Sequence, residues 1–164
     1  MRARRSLPQG PFTCYALSST DRKRSYTGQT NDFTRRLRQH NQEIKGGARY
    51  TKTKTKWNPI FRVTEFKTLR SVLQFEIAMK KRKVPSKFDP TKKHYTRGPK
   101  GRVRQLEYLL SLGRLNEEAH SDFKQHGLVI WVHISKEEYL KWSGLTWGEF
   151  KDRRAKQGIK FEFV

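Results

Sequence analysis

The side chains best suited to chemistry fall in two stretches, 12–40 and 73–79. Tyr15 and Tyr26 stand eleven residues apart, Arg36 follows ten later, and His40 comes four after Arg36. Residues four apart on a helix share a face, so a guanidinium and an imidazole are presented together. Glu76 then supplies one carboxylate inside the otherwise apolar run Leu73-Gln74-Phe75-Glu76-Ile77-Ala78-Met79. Two tyrosines, an arginine, a histidine and a lone carboxylate suffice to cut a phosphodiester. An ionised carboxylate at a core-facing position is costly unless it is paired with a cation or binds a metal, and the pattern leaves both open.

These residues need elements to hold them. Phe12 to Ser19 reads as a strand with Phe12, Cys14 and Ala16 on one face and Tyr15 and Leu17 on the other, so both faces are covered. Thr20 to Arg24 is a polar turn and Ser25-Tyr26-Thr27 a short second strand. Gly28 ends that strand, where a glycine permits positive φ or close approach. Thr30-Asn31-Asp32 offers caps for a helix from Phe33 to about Glu43, with Phe33, Leu37 and Ile44 inward and Arg36 and His40 at the edge of that stripe. Ile60 to Phe66 is a third strand. A helix from about Leu69 to Arg82 follows, with Leu69, Val72, Leu73, Glu76 and Met79 on one face.

The rest of the chain is less informative. Pro85 to Gly101 carries three prolines and reads as a linker. Helices are expected over Arg102–Asn116, Glu117–His126, Lys136–Trp142 (Ser135 and Glu138 forming a capping box) and Thr146–Lys156. Leu128–Ile134 and Lys160–Val164 read as strands. His120, His126 and His133 lack metal-ligand spacing. The organisation expected is a basic arm at 1–11, a first domain at 12–84, a linker at 85–101 and a C-terminal α/β region at 102–164.

Charge names the partner. Among 164 residues there are 37 Lys and Arg against 15 Asp and Glu, a net charge of +22. Such a surface favours polyanions, nucleic acid before acidic membrane. Residues 1–84 carry 21 basic and 5 acidic side chains and residues 85–164 carry 16 and 10, so the polyanion is expected mainly against the first half. The loop after the first helix interleaves cations, hydroxyls and aromatic rings, which suits phosphate contact and stacking. Arg35, Arg38, Lys45, Arg49, Tyr50, Lys52, Lys54 and Lys56 are the candidate nucleic-acid contacts. One cysteine, Cys14, excludes internal disulfides and multi-cysteine zinc modules. With no apolar run long enough to span a membrane and no signal-peptide core, an intracellular protein is expected. Lys80-Lys81-Arg82-Lys83-Val84 has the form of a nuclear-localisation signal, which would apply in a eukaryotic or viral setting; otherwise the cytoplasm is expected.

The ordered set resembles the GIY-YIG nuclease domain. Its first motif appears as Thr13-Cys14-Tyr15, which keeps only the tyrosine, and its second as Tyr26-Thr27-Gly28, which keeps the tyrosine and glycine. The segments Arg35-Arg36-Leu37-Arg38-Gln39-His40-Asn41 and Phe75-Glu76 match as well. The run Ile44-Lys45-Gly46-Gly47-Ala48-Arg49-Tyr50-Thr51 looks like the branch containing the catalytic subunit of the eukaryotic structure-specific nuclease for branched DNA, with its small bacterial relatives. The resemblance covers about residues 12 to 83. It implies a small three-stranded antiparallel sheet flanked by helices, α/β in class. It also implies a divalent metal, Mg²⁺ or Mn²⁺, on Glu76, with Arg36 on the scissile phosphate, Tyr15 or Tyr26 as general base, and His40 in proton transfer.

The expectation is therefore a metal-dependent DNA endonuclease, selective for flaps, forks or junctions in repair or recombination, with DNA and a protein scaffold as partners. Two alternatives stand beside it. One is a homing-type or restriction-type sequence-specific endonuclease of the same family. The other is a non-catalytic basic nucleic-acid-binding protein.

Overall fold

A computed structural model describes residues 9–52, 56–81, 83–85, 93–95, 97–114 and 127–164. The hairpin comes first: β1 (Phe12–Ser19) pairs antiparallel with β2 (Ser25–Thr30). Helix α1 (Phe33–His40) follows, capped by Asp32, whose side chain accepts from the Arg35 N–H at 3.0 Å. A single 3₁₀ turn (Arg49–Thr51) leads into the ten-residue strand β3 (Trp57–Phe66). Helix α2 (Leu69–Lys80) starts on a Thr68 cap. Beyond it lie a small β4 (Lys83–Pro85) and β5 (Lys93–Tyr95) ladder, α3 (Gly98–Leu112), β6 (Val129–Val132), α4 (Lys136–Ser143), α5 (Trp147–Gln157) and β7 (Lys160–Phe163).

The main sheet has five strands, not the three expected, in the order β2-β1-β3-β6-β7. All neighbours are antiparallel except β6 and β7. The reason lies in β3. Its inner edge is taken by β1, and its outer edge accepts β6 over Phe61–Thr64, so the C-terminal strands continue the sheet of the first half. The α/β class stands.

Alternation along β1 is as the sequence implies. Cys14 and Ala16 enter the main core with Val72, Phe75 and Met79 of α2, Val103, Leu106 and Leu109 of α3, and Ile130 and Val132 of β6. Tyr15 and Leu17 face the other way, packing with Trp57 under Tyr26, Phe33 and Leu37. The sheet therefore carries α2 and α3 on one face and α1 with the 3₁₀ turn on the other.

Several boundaries move. The inward stripe of α2 is Val72, Phe75, Ala78 and Met79, whereas Leu73 is 36% exposed. At 100° per residue a stripe centred on 72, 75 and 79 turns Leu73 outward and leaves Glu76 at its border. Helix α3 begins at Gly98, with Pro99 in a first turn where a missing N–H costs nothing. The capping box expected at Ser135 and Glu138 is only half formed. Ser135 accepts from the Glu138 N–H, but the Glu138 carboxylate pairs with Arg22 instead. The reciprocal box sits at Thr146 and Glu149. The helix expected over 117–126, His120, His126 and Lys54 lie outside the described residues, as does most of the basic arm.

One polar group is buried among the helices. The Glu107 carboxylate takes a 2.5 Å hydrogen bond from the Tyr139 hydroxyl and an ion pair from Arg154. Arg154 also lies over the rings of Phe150 and Phe161. Arg154→Met keeps the stem packing and strands a buried carboxylate. It should cost about 3–5 kcal/mol of stability in guanidinium unfolding; a loss under about 1 kcal/mol would show that the Glu107–Arg154 pair contributes little to the native state.

Candidate active site

The hairpin, the end of α1 and the 3₁₀ turn bring Tyr15, Tyr26, Arg36 and His40 to one place. The ring centroids of Tyr15 and Tyr26 lie 6.3 Å apart, and those of Tyr26 and His40 4.7 Å. Arg36 Nε donates to the Tyr15 hydroxyl at 3.3 Å. Its Nη1 donates to Gln39 Oε1 at 3.0 Å and to the Gly46 carbonyl at 3.1 Å. The guanidinium is thus fixed in position by neutral acceptors and keeps its full charge for an anion.

His40 is fully buried, and its two ring nitrogens have different partners. Nδ1 meets Thr51 Oγ1 at 2.8 Å, and Nε2 meets the Tyr15 hydroxyl at 2.7 Å. The single hydroxyl proton of Thr51 goes to the Ala48 carbonyl at 2.9 Å. Thr51 must then accept from His40, so the network assigns the proton to Nδ1. Nε2 is left as an acceptor for the Tyr15 O–H. Burial, with the Arg36 charge second, lowers the His40 pKa to about 4, so the ring is neutral at pH 7. Burial likewise raises the Tyr15 phenol, against the hydrogen bond from Arg36, which lowers it.

Thr51 sits correctly because two residues pin the turn. Asn41, the C-cap of α1, accepts from the Trp57 N–H at 2.7 Å and donates to the Trp57 carbonyl at 3.2 Å. The Trp57 indole N–H then donates to the Thr51 carbonyl at 3.2 Å. Sequence reasoning missed this part of the site. Thr51 looks like one hydroxyl in an alternating basic run, and only the tertiary contact buries it.

Gly28 has a close-approach role rather than a positive φ. It faces Tyr15 directly across the ladder, and a Cβ there would stand 2.5 Å from the Tyr15 hydroxyl oxygen and 2.9 Å from Tyr26 Cε1. The rim carries the predicted contacts. Arg35, Arg38, Lys45, Arg49, Lys52 and Lys56 are exposed. Tyr50 is 53% exposed and stacks on Tyr26 with ring centroids 6.3 Å apart. Arg38 is drawn toward Glu43 at 3.3 Å.

Glu76 lies on α2, which packs against the Cys14 and Ala16 side of β1. It is near enough to Cys14 that its charge adds to the burial raising that thiol. Its side chain is 12% exposed and takes a 2.7 Å ion pair from Lys80, one turn on.

The model of the GIY-YIG catalytic domain matches residues 11–89. Over those residues the chain is similar to the GIY-YIG catalytic domain. Relatives agree with it. A protein of Giardia intestinalis named "structure-specific endonuclease subunit SLX1 homolog" is 47% identical over 74 residues, 43% of this chain and 21% of its own. The "structure-specific endonuclease subunit slx1" of Schizosaccharomyces japonicus is 49% identical over 67 residues, 40% of this chain and 24% of its own. An uncharacterised protein of Acanthamoeba polyphaga mimivirus is 36% identical over 72 residues, 43% of each chain. The chain thus spans about a fifth to a quarter of the first two relatives.

GIY-YIG nucleases generally depend on a divalent metal, and the donor set here can be tested against one. Among the described residues no three His, Cys, Asp or Glu side chains gather into a metal cage. A single carboxylate at the border of the core fits Mg²⁺, which commonly binds through one or two carboxylates, waters and substrate phosphates. The competing Lys80 is 51% exposed, and an ion pair of that kind is weak enough to yield.

Substitutions at two positions probe the quartet. Gly28→Ala drives a methyl into the Tyr15 hydroxyl, so cleavage should fall by tenfold or more while the fold persists; unchanged cleavage would show that Tyr15 can move freely. Thr51→Val removes the acceptor for His40 Nδ1–H, whereas Thr51→Ser keeps it. Long-range ¹H–¹⁵N spectra should report protonated Nδ1 in the wild type and the serine variant and a changed tautomer in the valine variant. One proton transfer contributes roughly 10²–10⁴ in rate, which bounds the accompanying loss of cleavage. An Nε2-protonated ring in the wild type would overturn the assignment.

Proposed function

We propose that the chain is a metal-dependent DNA endonuclease that hydrolyses phosphodiesters at flaps, forks or junctions. The observation that carries the chemistry is the convergence of Arg36, Tyr15, Tyr26 and His40, with Arg36 held, among the described residues, by neutral acceptors. The printed names of the relatives support selectivity for DNA structure, and the word "subunit" in them supports a protein partner. The basic Lys80–Val84 run supports an intracellular setting, nuclear in a eukaryotic or virus-infected cell.

In this reading Glu76 would hold Mg²⁺ (or Mn²⁺). When bound, the metal supplies charge neutralisation at the phosphate and a more acidic water. Arg36 orients the scissile phosphate and stabilises charge that grows on its oxygens through its fixed positive charge and the N–H donors not engaged by Tyr15, Gln39 and Gly46. Tyr15 is sealed and its hydroxyl is committed to His40. Tyr26 is only partly buried, which supports it over Tyr15 as the phenol that meets the attacking water. The neutral His40 Nε2 can take up a proton passed through Tyr15.

The test compares labelled flap, fork, four-way junction and plain duplex, with and without Mg²⁺ or Mn²⁺. Branched substrates should be cut and duplex spared. Glu76→Gln should lose cleavage by orders of magnitude while still binding DNA. Arg36→Lys should slow single-turnover cleavage by roughly a hundredfold, the scale of losing one oxyanion donor, with the dissociation constant within a few-fold. Equal losses of binding and cleavage in Arg36→Lys would make Arg36 a docking residue and defeat the mechanism.

A further inference from the structure

Resting on the nuclease reading, we propose that Arg62 is a second phosphate-binding residue, contacting the DNA backbone beside the phosphate that is cut. Arg62 is the direct cross-strand partner of Tyr15, so the two side chains rise from the same face of the sheet about 5 Å apart at their Cα atoms. Phe33 links them, its ring centroid 5.4 Å from that of Tyr15 and 5.0 Å from the Arg62 guanidinium.

The guanidinium is organised as a binding group would be. It lies between two aromatic rings, with Trp131 on the other side at 5.7 Å. Its Nε donates to His133 Nε2 at 2.9 Å, which fixes the plane. That imidazole is neutral at pH 7, its pKa lowered to about 4 by burial and then by the Arg62 charge. Trp131 is held in turn, its indole N–H donating to Thr64 Oγ1 at 3.2 Å.

The charge has no counter-ion of its own. Among the described residues no carboxylate pairs with Arg62, and neither terminal nitrogen has a protein partner. Those nitrogens are also absent from the buried polar atoms that lack partners, so they face solvent. A structural arginine in this setting ordinarily meets a carboxylate, as Arg154 meets Glu107. Arg62 instead presents two parallel donors next to the catalytic tyrosine, the geometry that suits a phosphate. Two of the residues that fix it, Trp131 and His133, come from the C-terminal part of the chain, which thereby helps build the substrate surface.

The experiment measures binding without metal, so that no cutting occurs. Labelled duplex is titrated with the whole chain and with Arg62→Met, which keeps the stem between the rings. Arg62→Met should weaken binding roughly tenfold, as for one lost charged hydrogen bond. The slope of log K against log salt should shrink by about 0.9. In the wild type, the Trp131 indole N–H cross-peak should shift as DNA is added. Unchanged affinity and slope in Arg62→Met, or a Trp131 signal indifferent to bound DNA, would overturn this inference alone. A wild type that binds no DNA would overturn the nuclease reading with it. If Arg62→Met loses its cooperative thermal transition, the wild-type Trp131 titration decides.

Discussion

A buried, neutral imidazole governs the geometry of the site. His40 has no exposure to water, so each ring nitrogen must find a partner within the protein. That requirement ties α1 to two distant pieces of chain, Tyr15 on β1 and Thr51 in the 3₁₀ turn, and Arg36, one turn earlier on α1, donates to the same Tyr15 hydroxyl. Asn41 and Trp57 then hold the turn against the start of β3. Charging His40 would place a second cation beside Arg36 and leave Nε2–H facing the Tyr15 hydroxyl. Neutrality and tautomer are therefore properties of the fold as much as of the residue.

The sheet divides labour between its faces. On one, Cys14 and Ala16 pack with α2 and α3 in an apolar layer. On the other, the same strand presents Tyr15 to the quartet, with Gly28 opposite providing the room its ring needs.

Much of this was legible in the chain. Alternation in β1, a cap among Thr30-Asn31-Asp32 and the four-residue step from Arg36 to His40 follow local rules of period and capping, and the structure keeps them, with Asp32 as the cap. Contacts distant in sequence were hidden. Nothing local says that Thr51 is buried or that Leu73 faces out while Val72 faces in, whereas the Glu76–Lys80 pair is a four-residue helical step that the sequence already offers. The sheet's extension was hidden for the same reason. Val129–Val132 is plainly strand-like, but which edge it joins depends on β3 having a free one. Glu138 had two possible partners, a backbone N–H or a cation from another element, and Arg22 took it.

The ten-residue strand β3 has a consequence for handling the molecule. Along Phe61–Thr64 its outer row of backbone donors and acceptors is satisfied only by β6. A fragment ending near residue 84 would expose that row beside Phe61 and Val63, a flat and apolar template for pairing with other chains. Excising the first part by its sequence boundaries would thus favour self-association, and any shortened form needs a surrogate strand or charges set along that edge.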